Sequence, residues 1–369
     1  GHPGTDKYGY SDPSYVVDRT TGEIFLFFVK SYDRKFQNSD AGVDPTDRNV
    51  LHAAVISSTD NGLTWSEPRI ITDSITTDKT GWKSRFAASG EGIQLKYGDH
   101  AGRLVQQYTL RVGDGTYEAV SVYSDDHGKT WKVGKPFGTG MDENKVVELS
   151  DGTLMVNSRA SDGTKARKIA LSTDGGETYG DVTVDNTLVD PHNNGSIIRA
   201  FPNAPKGSAA AKVLLFSNTN NSGARRNGTI RVSFDDGKTW PVSKVFEPGA
   251  VQYSTLTALP TAGTYGLLYE APDKHISYMP ITLDWLGVSS AVPTGDSRTV
   301  YRGGNLVKLH VTNLTDQAIT AGATLSLGGP DGWTWDKQQI TLPEIPANGT
   351  IDLLAKVQVP AGTDPGART

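Results

Sequence analysis

Residues 58–65 read STDNGLTW, and the pattern returns three times: SDDHGKTW at 124–131, STDGGETY at 172–179 and SFDDGKTW at 233–240. Each octet opens on Ser, has Asp third, Gly fifth and Thr seventh, and closes on an aromatic ring. In Asp60-Asn61-Gly62, Asp126-His127-Gly128, Asp174-Gly175-Gly176 and Asp235-Asp236-Gly237 the glycine stands where a tight turn needs positive φ. The first Asp of each can accept backbone N–H bonds inside its turn. Trp65, Trp131, Tyr179 and Trp240 are suited to fold back as apolar plugs between neighbouring units. Strand-like runs precede the octets, LHAAVI at 51–56 and EAVSVY at 118–123. The octets therefore read as scaffold. Their starts lie 66, 48 and 61 residues apart, a period that suggests a solenoid or propeller, and the matching strands favour a β-propeller.

The rest of the chain agrees with an all-β fold. Among its 369 residues are 41 Gly and 19 Pro, and short apolar runs such as IFLFFV (24–29) and VLLF (213–216) are bounded by turn formers. The length suits one large repeat domain or two domains. There is no cysteine, which excludes disulfides, thiolate metal sites and cysteine nucleophiles. A net charge of −5 without a basic run argues against a nucleic-acid partner. No apolar stretch approaches the roughly 18 residues of a membrane helix. The opening GHPGTDKYGYSDPSY has no Met and is not a signal peptide. The seven His, at 2, 52, 100, 127, 192, 275 and 310, are scattered, and no loop has calcium-ligand spacing. No metal and no cofactor are expected.

The stretches between the octets are more specific. GMDENKVVELSDG (140–152), LMVNSR (154–159) and YSTLT (253–257), together with the octets, make residues 8–288 resemble the bacterial sialidases, above all secreted actinobacterial ones. The resemblance implies a six-bladed propeller over 1–288. It also implies a retaining exo-α-sialidase, a glycoside hydrolase that frees terminal sialic acid through a covalent sialyl-tyrosine. The implied partners are sialylated glycans on proteins, lipids or oligosaccharides, and the implied location is extracellular. A monomer is expected.

The chemistry of such a cleavage selects residue types. The substrate carries a carboxylate on its anomeric carbon, and an arginine fork matches a carboxylate bidentately. By resemblance Arg159 is one of three clamp arginines. Another lies in SNTNNSGARRNGTIR, where the residues alone leave Arg225 and Arg226 open and the resemblance selects Arg225. An anionic nucleophile would be repelled by that carboxylate, whereas a neutral Tyr activated by a carboxylate base is not. Tyr253 matches the nucleophile and Glu143 its base. Asp12 resembles a residue at the N-acetyl end of the pocket. Asp142 and Asn193 resemble polar substrate contacts, and Glu270 the carboxylate that holds one clamp arginine.

The sequence also departs from the family pattern. No Arg-Ile-Pro occurs, so the first clamp arginine is lacking, as is the Asp that serves as acid and base soon after it. About 58 residues per octet period gives roughly five units before residue 290, against the six of the family. The expectation is therefore an interior fragment that lacks its first blade and is impaired in turnover. A sialic-acid-binding propeller without turnover is the alternative, and it has no use for the Tyr253–Glu143 pair. After a linker at 289–303, residues 304–369 resemble the Ig-like domains appended to glycoside hydrolases, here as an incomplete β-sandwich serving as spacer or carbohydrate contact. Trp333 and Trp335, two residues apart, face one side of it and are expected in its core.

Overall fold

A computed structural model describes residues 8–272, 275–289, 291–294, 300–315, 317–330 and 332–363. Among the described residues the regular structure is almost wholly β, with one short helix, Leu283–Leu286, and three 3-10 turns. Five sheets follow one another along the chain, antiparallel except where Gly90–Glu91 pairs parallel with Gly9–Val17. The first is built on Gly9–Val17, Ile24–Ser31 and His52–Ser58, with the two-residue strands Arg69–Ile70 and Gly90–Glu91 at its edges. The second holds Trp82–Ala87, Leu104–Val112, Thr116–Ser124 and the short Lys132–Val133. The third runs Met141–Glu148, Leu154–Ala160, Ala166–Ser172, Thr183–Val189, and the fourth Ser196–Arg199, Leu214–Thr219, Arg226–Ser233, Val242–Ala250. Ser254–Ala258, Thr264–Glu270 and Ile276–Thr282 make the fifth.

Successive sheets pack face to face. Phe25 and Phe27 of the first sheet meet Leu104, Tyr108 and Val120 of the second in one buried cluster. Val105 and Ala119 of the second meet Val146, Leu154 and Val156 of the third. Val147 and Met155 of the third meet Ile197, Leu214 and Phe216 of the fourth. Meanders stacked in chain order in this way are the arrangement of a propeller.

The octets are built alike. In each, the Ser hydroxyl donates to the Asp at 2.8 Å and accepts the N–H of the Gly at 2.8–2.9 Å. The Asp also accepts the backbone N–H and the hydroxyl of the Thr. Hydrogen bonds from Thr64 hold Asp60 down to about 2. The glycines have φ of +77° to +93°, and the residue before each is also left-handed. Three of the aromatics plug onto the preceding sheet as expected. Trp131 sits edge-on to Phe25 and Phe27 at 5.6 and 4.7 Å. Tyr179 stacks on Phe137 at 4.1 Å, and Trp240 donates to Asp185 at 3.1 Å. Trp65 does not plug: it is 39% exposed and bonds its own turn at Gly62 O. Its octet belongs to the first sheet, which has no preceding sheet among the described residues.

Compactness divides the chain less simply than the boundary expected at 288. One unit holds the described residues up to Arg199 with Lys212–Thr257 and Tyr265–Pro280; the other holds Ala200–Ala211, Ala258–Thr264 and the described residues from Ile281 onward. In the second unit Leu283 N donates to Gly263 O at 3.0 Å, which ties the short helix to one of these loops. The linker expected at 289–303 is partly a strand: Ala291–Thr294 pairs antiparallel with 310–313, at a sheet edge where Pro293 is tolerated. Residues 290 and 295–299, and the terminal 364–369, lie outside the described residues. Gly303–Asn313 and Thr350–Val359 extend this sheet, and Thr324–Ser326 with Gln339–Thr341 forms a second. Val311, Leu342 and Ile345 are buried between contributions from both. Trp333 and Trp335 are only partly buried and flank Gly329 together, so they share a side but do not enter the core.

Candidate active site

Asp142 and Glu143 lie on the first strand of the third sheet, and Arg159 on the strand beside it. Met141 pairs with Ala160 and Asn144 with Ser158, so Asp142 and Glu143 together oppose the single Arg159. This is a β-bulge. In a regular strand the two carboxylates would point to opposite faces; the bulge turns both on one guanidinium. Glu143 Oε2 accepts from Arg159 Nη1 at 2.5 Å, and Asp142 Oδ2 lies 3.2 Å from Arg159 Nε. A second bulge sets Asp12. Ser11 pairs with Val29 and Ser14 with Phe27, which leaves Asp12 and Pro13 opposite Phe28, and Asp12 has φ +54°.

Tyr253 stands just before the first strand of the fifth sheet. Its carbonyl accepts Glu270 N at 3.0 Å, and its N–H reaches Glu270 Oε2 at 3.3 Å. The Tyr253 hydroxyl accepts from Arg159 Nη1 at 3.0 Å, the same nitrogen that donates to Glu143. Arg225 lies over the Tyr253 ring with Cζ 5.6 Å from its centroid. Its Nη1 donates to Gln252 Oε1 at 2.9 Å and its Nη2 to His192 O at 3.0 Å. Arg226, the alternative left open by the sequence, is exposed at the start of the next strand.

Asp12, Asp142, Glu143, Arg159 and Tyr253 line one cavity of about 420 Å³. Val29, Phe36, Leu51 and Phe86 give it an apolar wall, and Arg34 and Lys35 also border it. Asn193 does not reach this cavity. It is buried, with Nδ2 donating to Gln252 O at 2.7 Å and to Thr219 Oγ1 at 3.3 Å. Glu270 lies beneath Tyr253 and makes no ion pair with an arginine among the described residues. The Asn193 and Glu270 side chains thus both brace the peptide that joins Gln252 to Tyr253. Among the described residues no three His, Asp or Glu side chains converge as a metal site.

The electrostatics follow from burial. Desolvation pushes the Glu143 carboxyl up, opposed by Arg159 and then Lys145. Desolvation also pushes the Tyr253 hydroxyl up, reinforced by the negative charge of Glu143. Tyr253 therefore stays a phenol, and Glu143 is the carboxylate that shares Arg159 Nη1 with it. Asp12 is raised, first by burial. Arg159 Nη2 has no acceptor among the described residues, so the side chain at the centre of the site can still grip an incoming anion.

Two members of the site escape the sequence patterns. His192, left-handed at φ +73°, contacts Asp142 Oδ2 through Nε2 at 3.1 Å. Lys145 is buried on the same strand as Glu143. Their nearness in sequence to Asn193 and Glu143 is the one signal that could have found them.

A family profile described as a BNR repeat-like domain matches residues 4–267, and one described as the NPCBM-associated NEW3 domain of alpha-galactosidase matches residues 304–369. The chain is 55% identical over 359 residues to a sialidase of Micromonospora viridifaciens, covering 97% of this chain and 54% of that protein. It is 30% identical to Sialidase-2 of Cricetulus griseus, covering 73% of this chain and 74% of that one. Among solved structures, the Hadza microbial sialidase Hz136 superposes with a TM-score of 0.68 at 31% identity, covering 75% of this chain and 53% of that one. The chain spans about half the length of the Micromonospora and Bacteroides fragilis sialidases.

Proposed function

Since this chain belongs to the sialidase family, we propose that its cavity is the site of a retaining exo-α-sialidase acting on terminal sialic acids of glycans. The observation that carries the proposal is the Tyr253 hydroxyl, which accepts from the same Arg159 nitrogen that donates to Glu143, on the wall of a cavity that Asp12 and Asp142 also line. The substrate carboxylate docks on Arg159, with Arg225 adding positive charge behind the Tyr253 ring. The acetamido methyl fits the apolar wall near Asp12.

In the first step Tyr253 Oη attacks the anomeric carbon, its proton passes to Glu143, and the glycosidic C–O bond breaks. The oxocarbenium-like transition state is stabilised by the neighbouring carboxylates. Water then attacks the anomeric carbon from the face opposite Tyr253, the C–O bond to Tyr253 breaks, Glu143 returns its proton to the phenolate, and the proton lost by the water passes through solvent to the departed leaving-group oxygen. Two displacements retain the α configuration. Protonation of the leaving oxygen is typically worth about 10²–10⁴-fold, and an aryl leaving group needs little of it. The five sheets are taken as blades of a six-bladed propeller, and the location as extracellular.

The test compares an aryl α-sialoside with the native chain and with Tyr253→Phe, following the first anomer released by NMR. Turnover that releases the α anomer and is lost in Tyr253→Phe supports the proposal. Binding of sialic acid without turnover by the folded chain would assign the site to recognition alone.

A further inference from the structure

One loop gives the cavity positive charge that the steps above do not use. It joins Ile24–Ser31 to His52–Ser58 in the first sheet, and its residues Arg34, Lys35, Phe36 and Gln37 border the cavity. The second sheet holds it in place. The Phe36 ring lies edge-on to Phe86 at 4.9 Å and to Tyr117 at 5.2 Å, and Ser84 Oγ donates to Phe36 O at 2.5 Å. Within the loop Lys35 N donates to Asn38 Oδ1 at 2.9 Å, and Leu51 N donates to Ser39 Oγ at 2.9 Å. Phe36 is thus pinned, while Arg34 and Lys35 beside it are exposed and stand at the cavity mouth; Asp142 and Glu143 are buried.

Neither cation is spent inside the protein. Arg34 Nε donates to Asn49 Oδ1 at 3.1 Å, and its terminal nitrogens have no acceptor among the described residues; Lys35 Nζ makes no ion pair there. Asp33, the adjacent acid, is held by Arg48 at 2.8 and 3.1 Å. Asp44 and Asp47 accept from Thr46 N and Asn49 N in turns of their own. An exo-acting enzyme encloses the terminal sugar, whose carboxylate goes to Arg159, so the part that emerges at the mouth is the part that departs. Asp12, Asp142 and Glu143 repel a negative charge on that part, whereas Arg34 and Lys35 attract it. We propose that Arg34 and Lys35 form an anion subsite, and that the glycans cleaved here carry a second negative charge, a carboxylate or a sulfate, on the portion that leaves. This rests on the sialidase reading and names its substrate class.

The experiment measures kcat/KM at low salt for two matched pairs of substrates. One pair is a sialic acid dimer and the same dimer with its reducing-end carboxyl converted to the amide. The other is sialyl-lactose with and without a sulfate on its galactose. An exposed ion pair is worth about two- to fivefold, so the charged member of at least one pair should lead by about fivefold, and high salt should shrink that lead. A lead in the first pair alone assigns a second sialic acid, in the second alone a sulfated sugar, and in both a general anion subsite. In the double variant Arg34→Gln, Lys35→Gln the ratio should fall to about one; each ratio is internal to one protein, so partial misfolding does not alter it. Equal rates within both pairs in the native chain, or a lead that survives in the double variant, overturn the proposal. If the native chain turns over none of the four, the same ratios are read as affinities by calorimetry. A charge preference lost in the double variant then removes the sialidase reading and leaves the anion subsite standing, and no preference overturns the subsite.

Discussion

Gly128→Ala tests whether the octets act as interlocks between sheets or only as local turns. Gly128 has φ +77°, a conformation that costs an L-residue about 1–2 kcal/mol. The unfolded chain loses freedom on gaining a Cβ, which offsets about 0.4–1 kcal/mol of that. A Cβ here would also lie 2.1 Å from Phe25 Cζ and 2.4 Å from Cε1. Phe25 is 3% exposed and set edge-on against Trp131, so the ring must move by more than 1 Å inside a packed cluster. Overpacking of this kind typically costs about 1–3 kcal/mol. Gly62→Ala supplies the control. Its φ is +84°, in the same turn of the first octet, but a Cβ there would meet only Trp65 Cζ2 at an ordinary 3.5 Å. The backbone cost is common to both, so the difference isolates the contact between sheets. Urea unfolding followed by tryptophan fluorescence should show Gly128→Ala less stable than Gly62→Ala by about 1–3 kcal/mol. Equal destabilisation of the two variants would refute the interlock.

Other outcomes follow from the site. Arg225→Ala removes a guanidinium that steadies Gln252 and the His192 carbonyl beside Tyr253. KM for an aryl α-sialoside should rise about 10- to 100-fold with a smaller change in kcat, since hydrogen bonds to charged groups are worth about 1.5–3 kcal/mol; an unchanged KM would remove Arg225 from substrate binding. Glu91 gives a pH dependence of stability. Burial pushes its carboxyl up to about 7, opposed by a hydrogen bond from Tyr15. A raised folded value means the stabilising neutral form is fully present below about pH 4.5 and is lost as pH rises through about 7. Glu91→Gln should therefore unfold near the native temperature at pH 4.5 and above it at pH 8. Parallel shifts at both pH values would show that Glu91 is not the titrating group.

The sequence by itself determined the repeating unit. Turn formation is local: Ser58 bonds Asp60 and Gly62, and Asp60 bonds Thr64, all within the octet, so the same pattern of eight residues folds alike four times and announces an all-β repeat. The family-specific stretches likewise placed Glu143, Arg159 and Tyr253 among the candidates, because the residue types that cleave a sialoside are few. Only the tertiary structure decided how they meet. Asp142 and Glu143 are neighbours in a strand, and a period of two sends them apart; one extra residue opposite Arg159 brings them together. Arg225 is separated from Arg226 by the ring it covers, a contact with a residue 28 positions away in the chain. Asn193 and Glu270 turn out to brace the Tyr253 backbone. Bulges, burial and charge balance arise from how strands distant in sequence are brought side by side, and a linear pattern does not record that.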